Sequence, residues 1–319
     1  MSRLLVVFLL SIFWCHSTLG QTDRMGSSKV HLKTGVRPLG YEFKIDNIDE
    51  SETLLYKPNL NSQIFISATI EEVIGVSWGF KTPNSESDQL RKGSTEYDDW
   101  RFSFPYERFR INAYWVRYQG FYIENSSTVD PTWNSSQPYI RNDQLFNQST
   151  GGSLTWIHSP KAFSLIAALD QTDRQKSSGG SWLYGFAINE SVFKSDTAMI
   201  PTAIQSRFGE DATITEGRFR SLIFQGGYGY TYVPFENWSA TLAVQLGFGP
   251  QDSFVKGPSF TESNMKTARV VDALLNLGYN GKLFFAGGQI QSNQVASQAR
   301  SITLSSGLIE IQAYIGFHL

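Results

Sequence analysis

The chain has 319 residues, of which 18% are charged and 14% aromatic, and its formal net charge is −2 at pH 7. No long basic run accompanies this charge, so nucleic acid is not an expected partner. After residue 20 no apolar run reaches the length of about 18 residues that indicates a membrane-spanning helix, so any membrane crossing is expected to use β-strands.

Residues 1–20 have the pattern of a secretory signal peptide. Arg3 precedes an apolar stretch over residues 4–14, which is shorter than the roughly 20 residues that a spanning helix needs. Cleavage near Gly20, and hence export, is expected. The only cysteine, Cys15, lies within this segment, so the exported chain is expected to contain no disulfide.

Residues 21–60 are predicted to lead into a β-barrel that comprises residues 61–319. In the barrel region apolar and polar side chains alternate with a period of two, the pattern of strands whose two faces meet different surroundings. Twelve strands are predicted, at 63–70, 74–82, 99–107, 109–123, 150–158, 162–170, 181–190, 218–233, 238–249, 267–279, 282–293 and 307–319. Segments 39–47 and 52–58 could add strands, and the expected total lies between 10 and 14.

The length of these runs and the position of their aromatic residues point to a membrane. Strands of soluble proteins average about five or six residues, whereas a tilted membrane-crossing strand needs about 9 to 11. Aromatic residues gather toward strand ends, as at Trp182, Tyr184 and Trp238, which suits a lipid–water interface. The predicted fold class is therefore all-β, a closed antiparallel up-and-down transmembrane β-barrel of about 12 strands.

The last predicted strand, 307–319, alternates up to its final residue. In a closed barrel this strand pairs with the first one and has no free edge. Its apolar face ends in Ile315, Phe317 and Leu319, which are predicted to be the signal that the barrel-assembly machinery reads.

The loop lengths conflict with the twelve strands as placed. Bacterial barrels keep periplasmic turns short and outer loops long. Counting back from a periplasmic C-terminus puts 191–217, 250–266 and 294–306 outside, as expected, but puts the long segments 83–98 and 124–149 on the periplasmic side. Either these are unusual inner loops or the count is off by one strand.

Several stretches along the chain share one resemblance. They are 163–181 (FSLIAALDQTDRQKSSGGS), Tyr56–Asn59, Lys92–Gly93, Tyr118–Tyr122, Ile200–Pro201 with Phe208–Gly209, and Gly226–Tyr232. Together they resemble an uncharacterised family of bacterial proteins of about this length, largely from Bacteroidota, that is known as a domain of unknown function. The resemblance implies an outer-membrane β-barrel. It implies no activity, and no cofactor is expected.

Charged residues of the predicted wall could form a polar network in the lumen. If Arg101 and Arg110 point inward, they could pair with Glu107 or with acids on later strands. A structural network of ion pairs is the main hypothesis, and a selectivity ring in a conducting pore is the alternative. The candidate residues are Arg101, Glu107, Arg110, Arg117, Asp272 and Glu310.

The turn formed by Arg174, Gln175 and Lys176 lies at the centre of the resemblance. It is expected to be a solvated loop cap. A contact with a partner or with lipopolysaccharide is the alternative, since outer-membrane lipid and lipopolysaccharide would surround such a barrel.

No catalytic or metal site is predicted. The histidines after the signal are His31, His158 and His318, and none has the spacing to Ser or Asp that would suggest a triad. Residues 191–194 match the S-x-x-K acylation motif, but its companion motifs are missing.

These observations favour a bacterial outer-membrane barrel without enzymatic activity, either structural or a narrow channel. Twelve strands enclose a lumen that side chains can largely fill, which argues against a wide porin. A barrel enzyme acting on lipid or surface polymers is the first alternative, although no triad supports it. A soluble secreted β-sandwich that binds ligands is the second, and the strand lengths and aromatic positions count against it.

Overall fold

A computed structural model of the chain describes residues 22–24, 30–47, 49, 51–70, 73–106, 108–298 and 302–319. The strands are β1 (Thr22–Arg24), β2 (Val30–Arg37), β3 (Leu39–Asn47), β4 (Thr53–Lys57), β5 (Gln63–Ile70), β6 (Ile74–Lys81), β7 (Glu96–Tyr106), β8 (Phe109–Ile123), β9 (Arg141–Ile157), β10 (Asp173–Gln175), β11 (Gly179–Lys194), β12 (Glu216–Phe235), β13 (Trp238–Lys256), β14 (Thr261–Asn280), β15 (Phe284–Gln298) and β16 (Ile302–His318). The helices are α1 (Glu86–Lys92), α2 (Ser126–Val129), α3 (Leu165–Leu169) and the 3-10 helices Thr202–Arg207 and Gly209–Thr213. No helix in these ranges is long and apolar enough to cross a membrane.

Antiparallel pairing closes the sheet into a barrel. β16 pairs with β15 along one edge and with β2 and β3 along the other, so the first and last wall strands meet. β2 and β3 keep one register with β16, since Val36 lies opposite Ala313 and Leu39 opposite Glu310. They are therefore a single wall strand interrupted at Pro38, which has no N–H to donate.

β4 and β5 also form one interrupted wall strand. Both pair with the β2–β3 strand, and the five residues 58–62 between them face the four partner positions 38–41, which makes a bulge of one extra residue. When each of these two interrupted strands is counted once, the sheet of 14 segments corresponds to a barrel of 12 strands. The predicted all-β, closed antiparallel barrel is confirmed.

Two parts of the strand prediction are wrong. One predicted strand is absent and one wall strand was not predicted, so the total number of strands is unchanged. Residues 162–170 contain helix α3 instead of a strand, because the Ser164 Oγ accepts a hydrogen bond from the Ala167 N–H at 3.0 Å and caps the helix. Residues 30–57, placed in the segment that leads into the barrel, form wall strands. The wall therefore begins at Val30 and not at residue 61.

The corrected strand order removes the conflict in loop lengths. The connections after β5, β7, β12 and β14 are short and lie at the same end as Leu319, which we call the inner end. The long segments 82–95, 124–140 and 195–215 all lie at the opposite, outer end. Segment 158–178 is the one long connection at the inner end among the described residues.

Alternation sorts the wall side chains into an apolar outer surface and a polar lumen. On β16, Ile315, Phe317 and Leu319 are 45%, 48% and 61% exposed, whereas Glu310 and His318 on the other face are buried. Residues on neighbouring strands behave in the same way. The exposed ring, called the apolar belt below, includes Ile66, Trp78, Ile111, Phe186, Ile188, Phe224, Leu246, Phe248, Leu277, Ile290 and Ile311.

Candidate functional site

Segment 158–178, the inner plug, folds into the lumen. Phe163 and Leu165 pack against the inward side chains Leu183, Ala243 and Leu274 of the wall. Phe163 is fully buried, and its ring occupies the space where a side chain at Gly229 of β12 would stand. The plug is therefore part of the packed interior of the barrel.

Polar side chains of the wall anchor the C-terminal end of α3. The guanidinium of Arg110 forms a two-pronged ion pair with the carboxylate of Asp170, and both side chains are less than one-tenth exposed. The Lys33 Nζ donates to the Leu169 carbonyl at 2.9 Å. The Gln171 Nε2 donates to the Tyr314 hydroxyl at 3.1 Å.

The turn that carries the family resemblance belongs to this plug. The Gln175 Nε2 donates to the Ala162 carbonyl at 2.9 Å, and its Oε1 accepts from the Ser164 N–H at 3.1 Å. Gln175 is 3% exposed, so this residue of the turn is not solvated, contrary to the expectation from the sequence. Arg174 donates to the Asn237 Oδ1 in the turn after β12, and Lys176 is exposed.

Segment 195–215, the outer cap, fills the outer mouth of the barrel. Its buried residues belong to one apolar cluster with inward side chains of early and late wall strands. In addition, the Tyr56 hydroxyl donates to the Met199 carbonyl. The cap contributes Met199, Ile200, Ile204, Phe208, Ala212 and Ile214, and the wall contributes Phe43, Ile45, Leu54, Tyr56, Tyr118, Leu145, Phe193, Phe219, Val255 and Leu304.

Two arginines and two acids form an ion-pair network between the plug and the cap. The Arg37 guanidinium lies 2.9 Å from the Asp99 carboxylate and 3.3 Å from the Glu310 carboxylate. Arg101 contacts the same two carboxylates at 2.9 and 2.7 Å. Buried charges are tolerated when they are paired in this way, and the four charges of this network cancel.

The predicted lumen residues are only partly brought together. Arg101 and Glu310 contact each other directly, Arg110 binds the plug, and Asp272 accepts a hydrogen bond from Gln225. Arg117 lies on the outward face of β8 and pairs with Asp98 and Glu96 of β7 at 3.5 and 3.4 Å. Glu107 lies outside the described residues.

Three members of these networks were not predicted. Arg37 and Asp170 were missed because their segments were given the wrong structure, and Asp99 because no partner for it could be assigned. For Arg37 the usable signal was a charged residue an even number of positions from Tyr41 and Phe43, which places all three on one face of a strand.

A cavity of about 420 Å³ lies between the plug and the cap. Its lining combines the ion pairs with amide and hydroxyl side chains of the wall. The amides are Asn112, Asn189, Gln225, Gln245, Gln251, Gln289, Gln291 and Gln312.

The histidines among the described residues lie in two separate places. The rings of His31 and His318 meet at the strand seam with their Nδ1 atoms 2.6 Å apart, and the His318 Nε2 lies 3.0 Å from the Asn280 Oδ1. His158 lies apart, against Trp156. Ser191 and Lys194 of the S-x-x-K match lie in β11, where positions three apart point to opposite faces. Within the described ranges no three His, Cys, Asp or Glu side chains could hold a metal ion.

Comparison with known proteins identifies a family and a set of barrels. The sequence profile of a family described as Domain of unknown function (DUF4421) matches residues 33–318. The fold is similar to that of the outer membrane protease OmpT from Escherichia coli, at 8% identity and a TM-score of 0.40, with 92% of this chain and 98% of that chain covered. For the Pseudomonas putida toluene transporter TodX the values are 9% and 0.30, with 91% and 90% covered. No curated protein sequence matches the chain.

Proposed function

The chain belongs to the DUF4421 family, and we propose that it is a non-enzymatic barrel of the bacterial outer membrane that acts as a narrow passage closed at rest. The observation that carries this proposal is the occupation of both mouths of the lumen by segments of the chain itself. A cavity whose lining includes charged, amide and hydroxyl side chains lies between them.

The apolar belt supports the membrane location. Side chains such as Leu246, Phe248 and Ile188 are 62%, 68% and 59% exposed, and a contiguous belt of this kind is too apolar to remain in water. The inner end, with short connections and the C-terminus, then faces the periplasm, and the export signal predicted at 1–20 would deliver the chain there. Ile315, Phe317 and Leu319 remain the proposed signal for the barrel-assembly machinery.

The two obstructions differ in chemistry, which supports a passage with a movable inner gate. The outer cap is held by a large apolar core. The inner plug has a smaller apolar cluster around Phe163 and Leu165, to which directional contacts such as Arg110–Asp170 and Lys33–Leu169 are added. Its opening therefore exposes less apolar surface than opening of the outer cap. Lipid and lipopolysaccharide are proposed as the surroundings of the wall.

Conductance in planar bilayers tests the proposal. The protein as purified is expected to give no steady open current, whereas a variant with residues 160–177 replaced by a short glycine–serine linker is expected to conduct. A variant that lacks residues 131–137, which are largely exposed in an outer loop, is the control and is expected to stay closed.

Two results would overturn the proposal. A steady wild-type current would show that the lumen is open at rest. A silent plug-replaced variant that still migrates as a heat-modifiable barrel on detergent gels would show that the inner plug does not close the passage.

A further inference from the structure

The central cavity has the chemistry of a binding site for an uncharged solute. Its lining carries four cationic and four acidic side chains, namely Lys33, Arg37, Arg101 and Arg110 and Asp170, Glu190, Asp272 and Glu310. Arg37 and Arg101 pair with Glu310 and with Asp99, and Arg110 pairs with Asp170. Because no excess of one sign is presented, neither an anion nor a cation gains a net attraction there.

Amide side chains project into the same space from several strands. Each amide offers two N–H donors and one acceptor oxygen, which is the combination that a hydroxyl group can meet as both donor and acceptor. Six of them are glutamines: Gln225, Gln245, Gln251, Gln289, Gln291 and Gln312. Wall serines such as Ser153 and Ser221 add hydroxyls to this lining.

Two of these amides have a donor without a protein acceptor. In the described part of the chain nothing accepts a hydrogen bond from the Nε2 of Gln245 or of Gln251. Gln251 is 1% exposed, and it lines the cavity. Buried donors are nearly always hydrogen-bonded in folded proteins, so these two amides are the candidates to donate to a molecule that occupies the cavity.

We propose that the central cavity binds one neutral, hydroxyl-rich solute of sugar size, held by Gln245 and Gln251. A cavity of about 420 Å³ falls within the range of sites that hold small molecules. The proposal rests on the proposed function in one respect, since it makes this solute class the cargo of the closed passage.

Native mass spectrometry of the refolded barrel tests this assignment. The chain is refolded in detergent in the presence of glucose, sucrose or sorbitol, so that entry does not depend on movement of the plug. Gluconate and glucosamine serve as charged probes of similar size. One bound molecule of at least one neutral probe is expected, without binding of the charged ones.

Matched variants locate the bound solute. Gln251→Leu and Gln245→Leu are each expected to weaken binding of the neutral probe by about tenfold, the effect of one lost hydrogen bond. Gln63→Leu is the control, because the Gln63 side chain is as buried as that of Gln251 and has no hydrogen-bond partner among the described residues, but does not line the cavity. A detergent gel with and without boiling confirms that each variant has folded.

The outcomes separate this inference from the function on which it rests. A folded barrel that binds none of the three neutral probes, that binds the charged probes equally well, or that is unaffected by both cavity substitutions would overturn the inference. If such a barrel were still closed in bilayers, the proposed function would stand without it. An open wild-type barrel would overturn the proposed function whether or not the sugar binds.

Discussion

Gly120 shows how one residue can determine where a wall strand changes partner. Its φ is +88°, and a Cβ there would overlap the Ser94 carbonyl oxygen. At this point β8 leaves β7 and pairs with β4. The Thr95 hydroxyl donates to the Gly120 carbonyl at 2.7 Å and accepts from the Asn59 N–H at 2.8 Å, so the junction is fixed by side-chain contacts.

Replacement of this glycine is expected to weaken the junction. Gly120→Ala should cost about 1–3 kcal/mol, because alanine is strained at positive φ and its methyl group meets backbone. The effect is measured as the temperature at which the band of the folded, unboiled barrel disappears from a detergent gel. Gly226→Ala, where a Cβ has nothing within 4 Å, is the control and should keep the wild-type temperature. Equal temperatures for both variants would contradict the expectation.

At the level of single residues, the sequence identified partners only where both lay in correctly assigned strands. Arg101 and Glu310 satisfied this condition and are in contact. Arg117 also lies in a correctly assigned strand, but the side chains of 109–123 did not show which face each residue takes, and Arg117 lies on the outward face.

Helix α3 shows the same limit at the level of an element. The run FSLIAALD alternates like a strand, and a short apolar run cannot be assigned by periodicity alone. The helix forms because Ser164 caps it and because the lumen surrounds it, so that Leu165, Ile166, Ala167 and Ala168 are all buried. An environment that covers every face of a segment depends on closure of the barrel, which no local pattern contains.

Arg110 and Asp170, the ion pair that anchors this plug, are expected to be strongly coupled in their effects on the free energy of unfolding. Asp170→Ala should destabilise the barrel by about 3–5 kcal/mol, because it leaves the Arg110 guanidinium buried without a counter-charge. In a double-mutant cycle, Asp170→Ala with Arg110→Met should cost less than the sum of the two single changes. Urea unfolding followed by tryptophan fluorescence gives the energies.

An outward ion pair provides the comparison for this cycle. Asp98→Ala removes a partner of Arg117 at 3.5 Å, where both side chains are at least one-third exposed, and should cost no more than about 1 kcal/mol. Additive single costs for Arg110 and Asp170 would show that the pair does not hold the plug.

For the whole molecule, periodicity was sufficient to predict a closed barrel of twelve strands, because the alternation of each strand is a local property. The identity of the strands was less accurate. One false strand at 162–170 replaced the true first strand at 30–47, and the conflict in loop lengths was the sign of this exchange. Which segments fill the lumen could not be predicted, because it depends on contacts between residues far apart in the chain.

The proposed orientation of the whole barrel, with its outer end at the cell surface, can be tested by cysteine labelling. With Cys15 as the only native cysteine, Ser87→Cys in α1 at the outer end should react with a membrane-impermeant maleimide on intact cells. Glu236→Cys, in the exposed turn after β12 at the inner end, should react only after the outer membrane is permeabilised. The reverse pattern would place the plugged end at the cell surface.

The contacts of the inner plug also join the two strands that close the barrel. Two of its anchors, Lys33 and Tyr314, belong to β2 and β16, the strands whose pairing closes the barrel. The plug lies midway along the chain between them and contacts both. It therefore provides a surface on which the two ends of the chain can be aligned, and segment 158–178 would serve as a folding template before it serves as a barrier.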